Sequence, residues 1–189
     1  KGYNVFDLDA RGYFAEKLKK IKPSIVLNAL HGKYGEDGFV QSILESLKIP
    51  YTHSGVLASS LAMDKEISRK IFSKNKLKVP KYICVNKDES NKINKKINTK
   101  KIQFPIVVKP INEGSSLGVY ICKNKKNLSK NYKKLFKNYN KILIEEYIPG
   151  REIQVAVMGK KELGAIELVP KREFYDYNAK YSKSTQTNH

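Results

Sequence analysis

The sequence predicts an α/β beginning joined to an α+β continuation, and three observations predict it. A short apolar run, SIVLNAL (24–30), breaks into the glycine-punctuated HGKYGEDG and then into apolar residues at helical spacing, which is the order of a βα unit. From Val79 onward, runs rich in β-branched and aromatic residues follow one another with a single well-patterned helix among them. Charged residues recur at the ends of those runs, where open α/β sheets build their sites.

Taken in order, 24–30 is expected to be a strand. Phe39, Val40, Ile43, Leu44 and Leu47 fall on one helical face behind it, with Glu36 and Asp37 placed to cap that helix. IPYTHSGVLASSLAM resets the chain through Pro50 and Gly55 into small-residue helical turns. A helix over roughly 64–75 begins at Asp64 and is expected to turn Ile67, Ile71 and Phe72 inward. KYICV, FPIVVKP and GVYIC then read as strands, separated by a Lys/Asn-rich segment of weak pattern (87–101). Leu128, Tyr132, Leu135, Phe136 and Tyr139 form a helical stripe facing a sheet, and 141–148, 151–159 and 163–170 read as an antiparallel set. The expected division is 1–53, 54–144 and 145–189.

Composition bounds the function. The 189 residues are 40% hydrophobic, with seven Phe and twelve Tyr, enough for real cores, and no apolar run approaches the 18 residues of a membrane span. Cys84 and Cys122 sit in strand-like runs and read as buried free thiols of a reducing cytoplasm. The formal charge of +19 invites a basic nucleic-acid-binding module, but only four of 37 basic residues are Arg, and many lysines share Lys/Asn-rich segments that read as solvated faces. Charge is read as solubility and steering, without nucleic acid or membrane as partner.

VVKPINEGSSLGV (107–119) carries the sharpest chemistry. Ile106–Val108 suits a buried strand and Val119–Ile121 its antiparallel return. Between them Gly114 and Gly118 let backbone approach a ligand, with Lys109 at the mouth of the loop, an arrangement suited to phosphate. An ordinary hairpin would also account for those glycines. Glu145 and Glu146 are adjacent in a strand and so point to opposite faces, one of them toward a cavity or a partner charge.

Together LHGKYGEDG (30–38), IPYTHSGVLASSLAMDK (49–65), VVKPINEGSSLGV, ILIEEYIPGRE (142–152) and FYDYNAKY (174–181) resemble the D-alanine-D-alanine ligases of the ATP-grasp superfamily, over most of the chain. The resemblance implies a Rossmann-like N-terminal (pre-ATP-grasp) domain followed by ATP-grasp α+β domains, the last one truncated. It implies ATP-dependent joining of two D-alanines through an acylphosphate, for peptidoglycan precursor and hence cell shape, by a cytoplasmic homodimer using Mg2+. Lys65 and Lys109 match lysines that hold ATP phosphates, and Lys180 a third. Glu145 matches an acid near the adenine amino group, Glu146, Tyr147 and Ile148 the backbone hinge that reads adenine, and Glu152 the ribose-binding acid. Glu113, Ser115 and Ser116 fall on the mobile phosphate loop, with Ser115 matching a serine bonded to a loop tyrosine, here Tyr181. That tyrosine favours the dipeptide over a D-lactate ester. His31 matches a histidine beside the amino-acid pocket, which by itself would read as the end of a strand. His53 departs from the family's usual glycine. A first strand before Lys1, and roughly a hundred residues beyond His189 bearing the metal ligands and a transition-state arginine, are expected from the resemblance. The 189-residue polypeptide alone is therefore expected to be inactive. Another ATP-grasp carboxylate–amine ligase is the alternative.

Overall fold

The computed structural model describes residues 2–170 and 187–188, in two compact units, Lys1–Ala62 and Met63–His189. In the first unit α1 (Phe14–Ile21) and α2 (Phe39–Ser46) bury Phe14, Leu18, Val40 and Leu44 against one another. α3 (Val56–Met63) follows. The expected strand 24–30 is reduced to a parallel bridge between Val26 and Tyr51, held by Val26 N–H to the Pro50 carbonyl (2.9 Å) and Thr52 N–H to the Val26 carbonyl (3.0 Å). A parallel strand is stable when neighbours cover both its faces. Here Ile25 and Leu27 are 61% and 77% exposed, and the ladder does not extend.

The loop 30–38 is tightly built. The Asn28 and Gln41 side-chain amides both donate to the Gly35 carbonyl, at 2.9 and 3.0 Å. Neither expected acid caps α2, whose N-cap is Gly38 with no side-chain cap hydrogen bond: Asp37 accepts from Tyr34 N–H (2.9 Å) and Phe39 N–H (3.1 Å), and Glu36 turns back to accept from Gly32 N–H. His53 has φ +94°, a left-handed conformation that favours glycine. A β-branched side chain is the worst fit to such a backbone. His53→Val is expected to lower the unfolding free energy by about 2 kcal/mol, and His53→Gly to be neutral or stabilising, in urea titrations followed by circular dichroism.

In the second unit Asp64 caps α4 (Lys65–Lys74), its carboxylate accepting from Glu66 N–H (2.9 Å) and Ile67 N–H (3.0 Å). Ile67, Ile71 and Phe72 stay 38–42% exposed, contrary to the expected inward stripe; Ser68 is the buried residue of this helix. β1 (Tyr82–Asn86), β2 (Ile106–Pro110), β3 (Tyr120–Cys122) and β4 (Lys141–Glu146) form an antiparallel sheet in the order β1-β4-β2-β3. The weakly patterned segment is helical: a 3-10 turn and then α5 (Ile93–Thr99), which buries Ile93 and Ile97. α6 (Lys125–Leu135) completes the layer.

The period of two along each strand decides what faces what. Val85, Ile106, Val108, Ile142 and Ile144 are fully buried in one core with Ile93, Leu128 and Leu135. Their alternates, Val107 and Lys109 on β2 and Leu143 and Glu145 on β4, therefore fall on the opposite face. There Val107 is the cross-strand partner of Glu145, and Lys109 of Leu143. A hairpin of β5 (Glu152–Met158) and β6 (Lys161–Pro170), extended by β7 (Thr187–Asn188), follows, with a register shift between Ala156 and Val157. No described helix is long and apolar enough to cross a membrane.

Candidate functional site

On the second face of the sheet a cavity of about 420 Å³ gathers nine of the expected site residues: Lys65, Lys109, Glu113, Ser115, Ser116, Glu145, Glu146, Tyr147 and Ile148. Each arrives by a different local cause. Lys65 is the first residue of α4, and Lys109 projects from the penultimate position of β2. The 113–116 segment belongs to the bend between β2 and β3, and 145–148 runs off the end of β4.

The bend takes its shape from Ser115 (φ +49°), Ser116 (φ +59°) and Gly118 (φ +70°), with Leu117 N–H bonded to the Gly114 carbonyl at 3.0 Å. Gly114 does not use the left-handed region. The two serines carry the left-handed backbone of this bend, a conformation that residues in ligand-binding loops often hold. Lys65 fastens the bend to α4: its backbone N–H and its Nζ both donate to the Ile111 carbonyl at 3.2 Å, and Nζ donates to the Glu113 carbonyl. Tyr139 Oη donates to the Glu113 carboxylate at 3.2 Å.

Glu145 and Glu146 part as strand geometry requires. Glu146 pairs with the Lys81 ammonium at 3.1 Å on the more exposed side. Glu145, whose side chain is 6% exposed, gives one carboxylate oxygen to Lys109 Nζ and the other to Arg69, whose Nε donates at 2.8 Å alongside Nη2. Two cations thus hold a single buried carboxylate. Lys65, which donates to the Ile111 and Glu113 carbonyls, is pushed down to about 8 by burial and then by the neighbouring Lys109.

Arg69 is the participant that motif reading missed. The signal was present: Arg69 lies one helical turn after Lys65, on the same face of a helix whose capping residue was legible. Glu152, at the start of β5, is exposed and does not line the cavity. His31 stands in the first unit, on the wall of a separate cavity of about 810 Å³ formed with Leu30, Tyr34 and Phe39. Lys180 and Tyr181 lie outside the described residues. Among the described residues no group of three or more His, Cys, Asp or Glu is placed to hold a metal ion.

A strand-built cavity with converging lysines beside a bent glycine-serine loop, on an antiparallel sheet backed by helices, is placed here on an ATP-grasp fold, which solved relatives share. The D-alanine–D-alanine ligase of Bacillus anthracis superposes with a TM-score of 0.76 at 39% identity, covering 94% of this chain and 58% of that one. The structure of the Bacillus anthracis enzyme complexed with ATP matches at 0.72 and 35%, over 92% and 55%. The VanG D-Ala:D-Ser ligase of Enterococcus faecalis matches at 0.73 and 30%, over 87% and 48%. By sequence, the D-alanine–D-alanine ligase of Pelagibacter ubique (strain HTCC1062) is 59% identical over 189 residues, all of this chain and 61% of that protein. The chain spans about three-fifths of the length of such relatives. The family model described as D-ala D-ala ligase C-terminus matches residues 71–189. The chain belongs to the D-alanine–D-alanine ligase family.

Proposed function

We propose that the protein containing this chain joins two D-alanines at the expense of ATP, supplying a dipeptide for peptidoglycan precursor. The observation that carries this reading is the convergence of two lysines from different elements, Lys65 of α4 and Lys109 of β2, on one cavity lined also by the 114–117 bend. Transferring a γ-phosphoryl group to a carboxylate spreads negative charge over the phosphoryl oxygens, and cations held at the cavity stabilise it. Lys65 and Lys109 are the phosphate ligands in this reading. The Ser115–Ser116 bend and Glu113 cover the phosphates, and the 146–148 hinge meets the base. The acylphosphate and ADP form first. The amine of the second D-alanine then attacks the acyl carbon, the C–O bond to phosphate breaks, and phosphate leaves.

Glu152 as ribose ligand, Lys180 as a third phosphate contact, Tyr181 with Ser115 as the closing pair and His31 beside the first D-alanine complete the assignment on resemblance. The family reading also includes Mg2+, a cytoplasmic location and a homodimer. The carboxylates at this cavity are a poor fit to a divalent cation, because Glu145 has both oxygens on cations and Glu113 accepts from Tyr139. The metal's ligands are assigned outside this set, and the lysines carry the phosphate contacts described here.

Full-length protein incubated with ATP and D-alanine is expected to release phosphate in step with dipeptide. The resemblance to the VanG enzyme makes D-serine the informative second acceptor. Turnover only with another amino acid would reject D-alanine, and no ATP-dependent turnover with any would reject the ligase reading.

Lys65 adds a pH dependence. Its folded pKa of about 8 lies below its ordinary value, so the folded protein disfavours the ammonium, and stability of the ligand-free protein rises between about pH 8 and the ordinary lysine range near 10.5. Phosphate favours the ammonium, which gives the opposite trend for binding. ATP affinity is expected to be level below pH 8 and to fall by up to about tenfold per pH unit above it. In Lys65→Arg that alkaline fall should vanish, which calorimetry between pH 6.5 and 9.5 checks.

A further inference from the structure

The arrangement of Arg69, Glu145 and Lys109 contains a difficulty that its geometry resolves. Lys109 is the lysine that a phosphate group would recruit, yet its ammonium is engaged with Glu145. To reach a phosphate oxygen it must leave a carboxylate that is 6% exposed, and an unpaired buried carboxylate is strongly unfavourable. Arg69 is placed to prevent that. Its Nε and Nη2 both grip Oε2, the oxygen Lys109 does not use, so Glu145 keeps a two-donor charged partner when Oε1 is vacated. The guanidinium is itself held: its side chain is 15% exposed, and its carbon lies 6.0 Å from the centre of the Tyr82 ring. Arg69 does not line the cavity, whereas Glu145 and Lys109 do.

We propose that Arg69 is a positioning residue for the nucleotide site, a standing counter-ion that retains Glu145 while Lys109 exchanges carboxylate for phosphate. The inference rests on the nucleotide reading above. Lys109 thereby moves between two anions along one wall of the cavity, and the Coulomb cost of its departure is met by a cation that never touches the ligand. Lysine at position 69 would supply charge without the fork, so Arg69→Lys is expected to restore only part of the effect.

A double-mutant cycle on the full-length protein tests this, reading the Kd of ATP by calorimetry at a temperature where every variant is folded by circular dichroism. Arg69→Met is expected to weaken ATP at least about tenfold when Glu145 is present. In the Glu145→Gln background, where no buried carboxylate is left behind, the same substitution should weaken it no more than about threefold. The loss of a distant positive charge is common to both backgrounds and cancels. A purely structural role for Arg69 would lower the thermal midpoint and leave the Kd unmoved. Equal factors in the two backgrounds, or an unchanged Kd in Arg69→Met, would overturn the proposal. If Arg69→Met does not fold, Arg69→Lys carries the same cycle with a smaller expected ratio, and a ratio of one overturns it. Absence of ATP binding by the wild-type protein would instead remove the nucleotide reading, a distinct result.

Discussion

Lys109→Met in the full-length protein is expected to lower ATP-dependent turnover by about 10²–10³-fold, the range seen when one fixed charge-stabilising donor is taken from a transition state. Methionine keeps the apolar stem that packs beside Leu143 and Val107, so the loss is of charge and not of volume. Lys109 is also a partner of a buried carboxylate, and that changes what the variant does to stability. Glu145 would keep Arg69, whose two donors hold the other oxygen, and the fold is expected to survive with a modest loss. The two consequences separate kinetically. An interaction made to phosphate in ground and transition states alike raises the KM for ATP, whereas one strengthened in the transition state lowers kcat. Because Lys109 starts from an ion pair with Glu145, much of its gain is deferred to the state of greatest phosphoryl charge, and the larger effect is expected on kcat. Steady-state kinetics across a range of ATP concentrations, with a thermal melt of the same preparation, checks both. Near-normal kcat would remove Lys109 from the site.

The comparison between sequence and structure has a physical pattern. Strand positions were legible because β2 and β4 carry near-continuous β-branched runs, and alternation then fixed which face Lys109 and Glu145 share. The cap at Asp64 was legible because a side-chain oxygen before a helix satisfies amides in one way. Periodicity misled at Ile67, Ile71 and Phe72, since a stripe of apolar residues states which face could be buried and not whether something covers it. The 87–101 segment was obscured by its Lys/Asn content, although Ile93 and Ile97 kept helical spacing. In the 113–118 bend, glycine content pointed to Gly114 while Ser115 and Ser116 bear the left-handed backbone, because tertiary fastening by Lys65 overrides local preference. Arg69 eluded motif reading for a related reason. Its spacing from Lys65 on α4 was legible, but its carboxylate partner lies 76 residues away, beyond the reach of a local pattern.

The loop that carries His31 rests on a glycine where almost no other residue fits, and Gly38→Ala is expected to lower the unfolding free energy of that unit by about 3 kcal/mol. Two contributions combine. Gly38 has φ +95°, and forcing an L side chain into that region costs roughly 1–2 kcal/mol. A Cβ at Gly38 would also stand 2.4 Å from Ser60 Oγ and 2.8 Å from the Val56 carbonyl oxygen. The hydroxyl cannot swing aside freely, since it donates to the Asp37 carbonyl at 2.7 Å, and the second obstacle is backbone. Relief requires α3 and the start of α2 to shift, an overpacking strain of about 1–3 kcal/mol. Ser60→Ala removes one obstacle and leaves the other, so Gly38→Ala combined with Ser60→Ala is expected to recover only part of the loss. Urea titrations of the full-length protein, followed by circular dichroism, measure all three variants. The same displacement would carry Asp37 away from the Tyr34 and Phe39 amides that shape the loop. With His31 beside the first D-alanine, as proposed, Gly38→Ala should therefore raise the KM for D-alanine more than that for ATP, because the cavity proposed for the nucleotide belongs to the other unit.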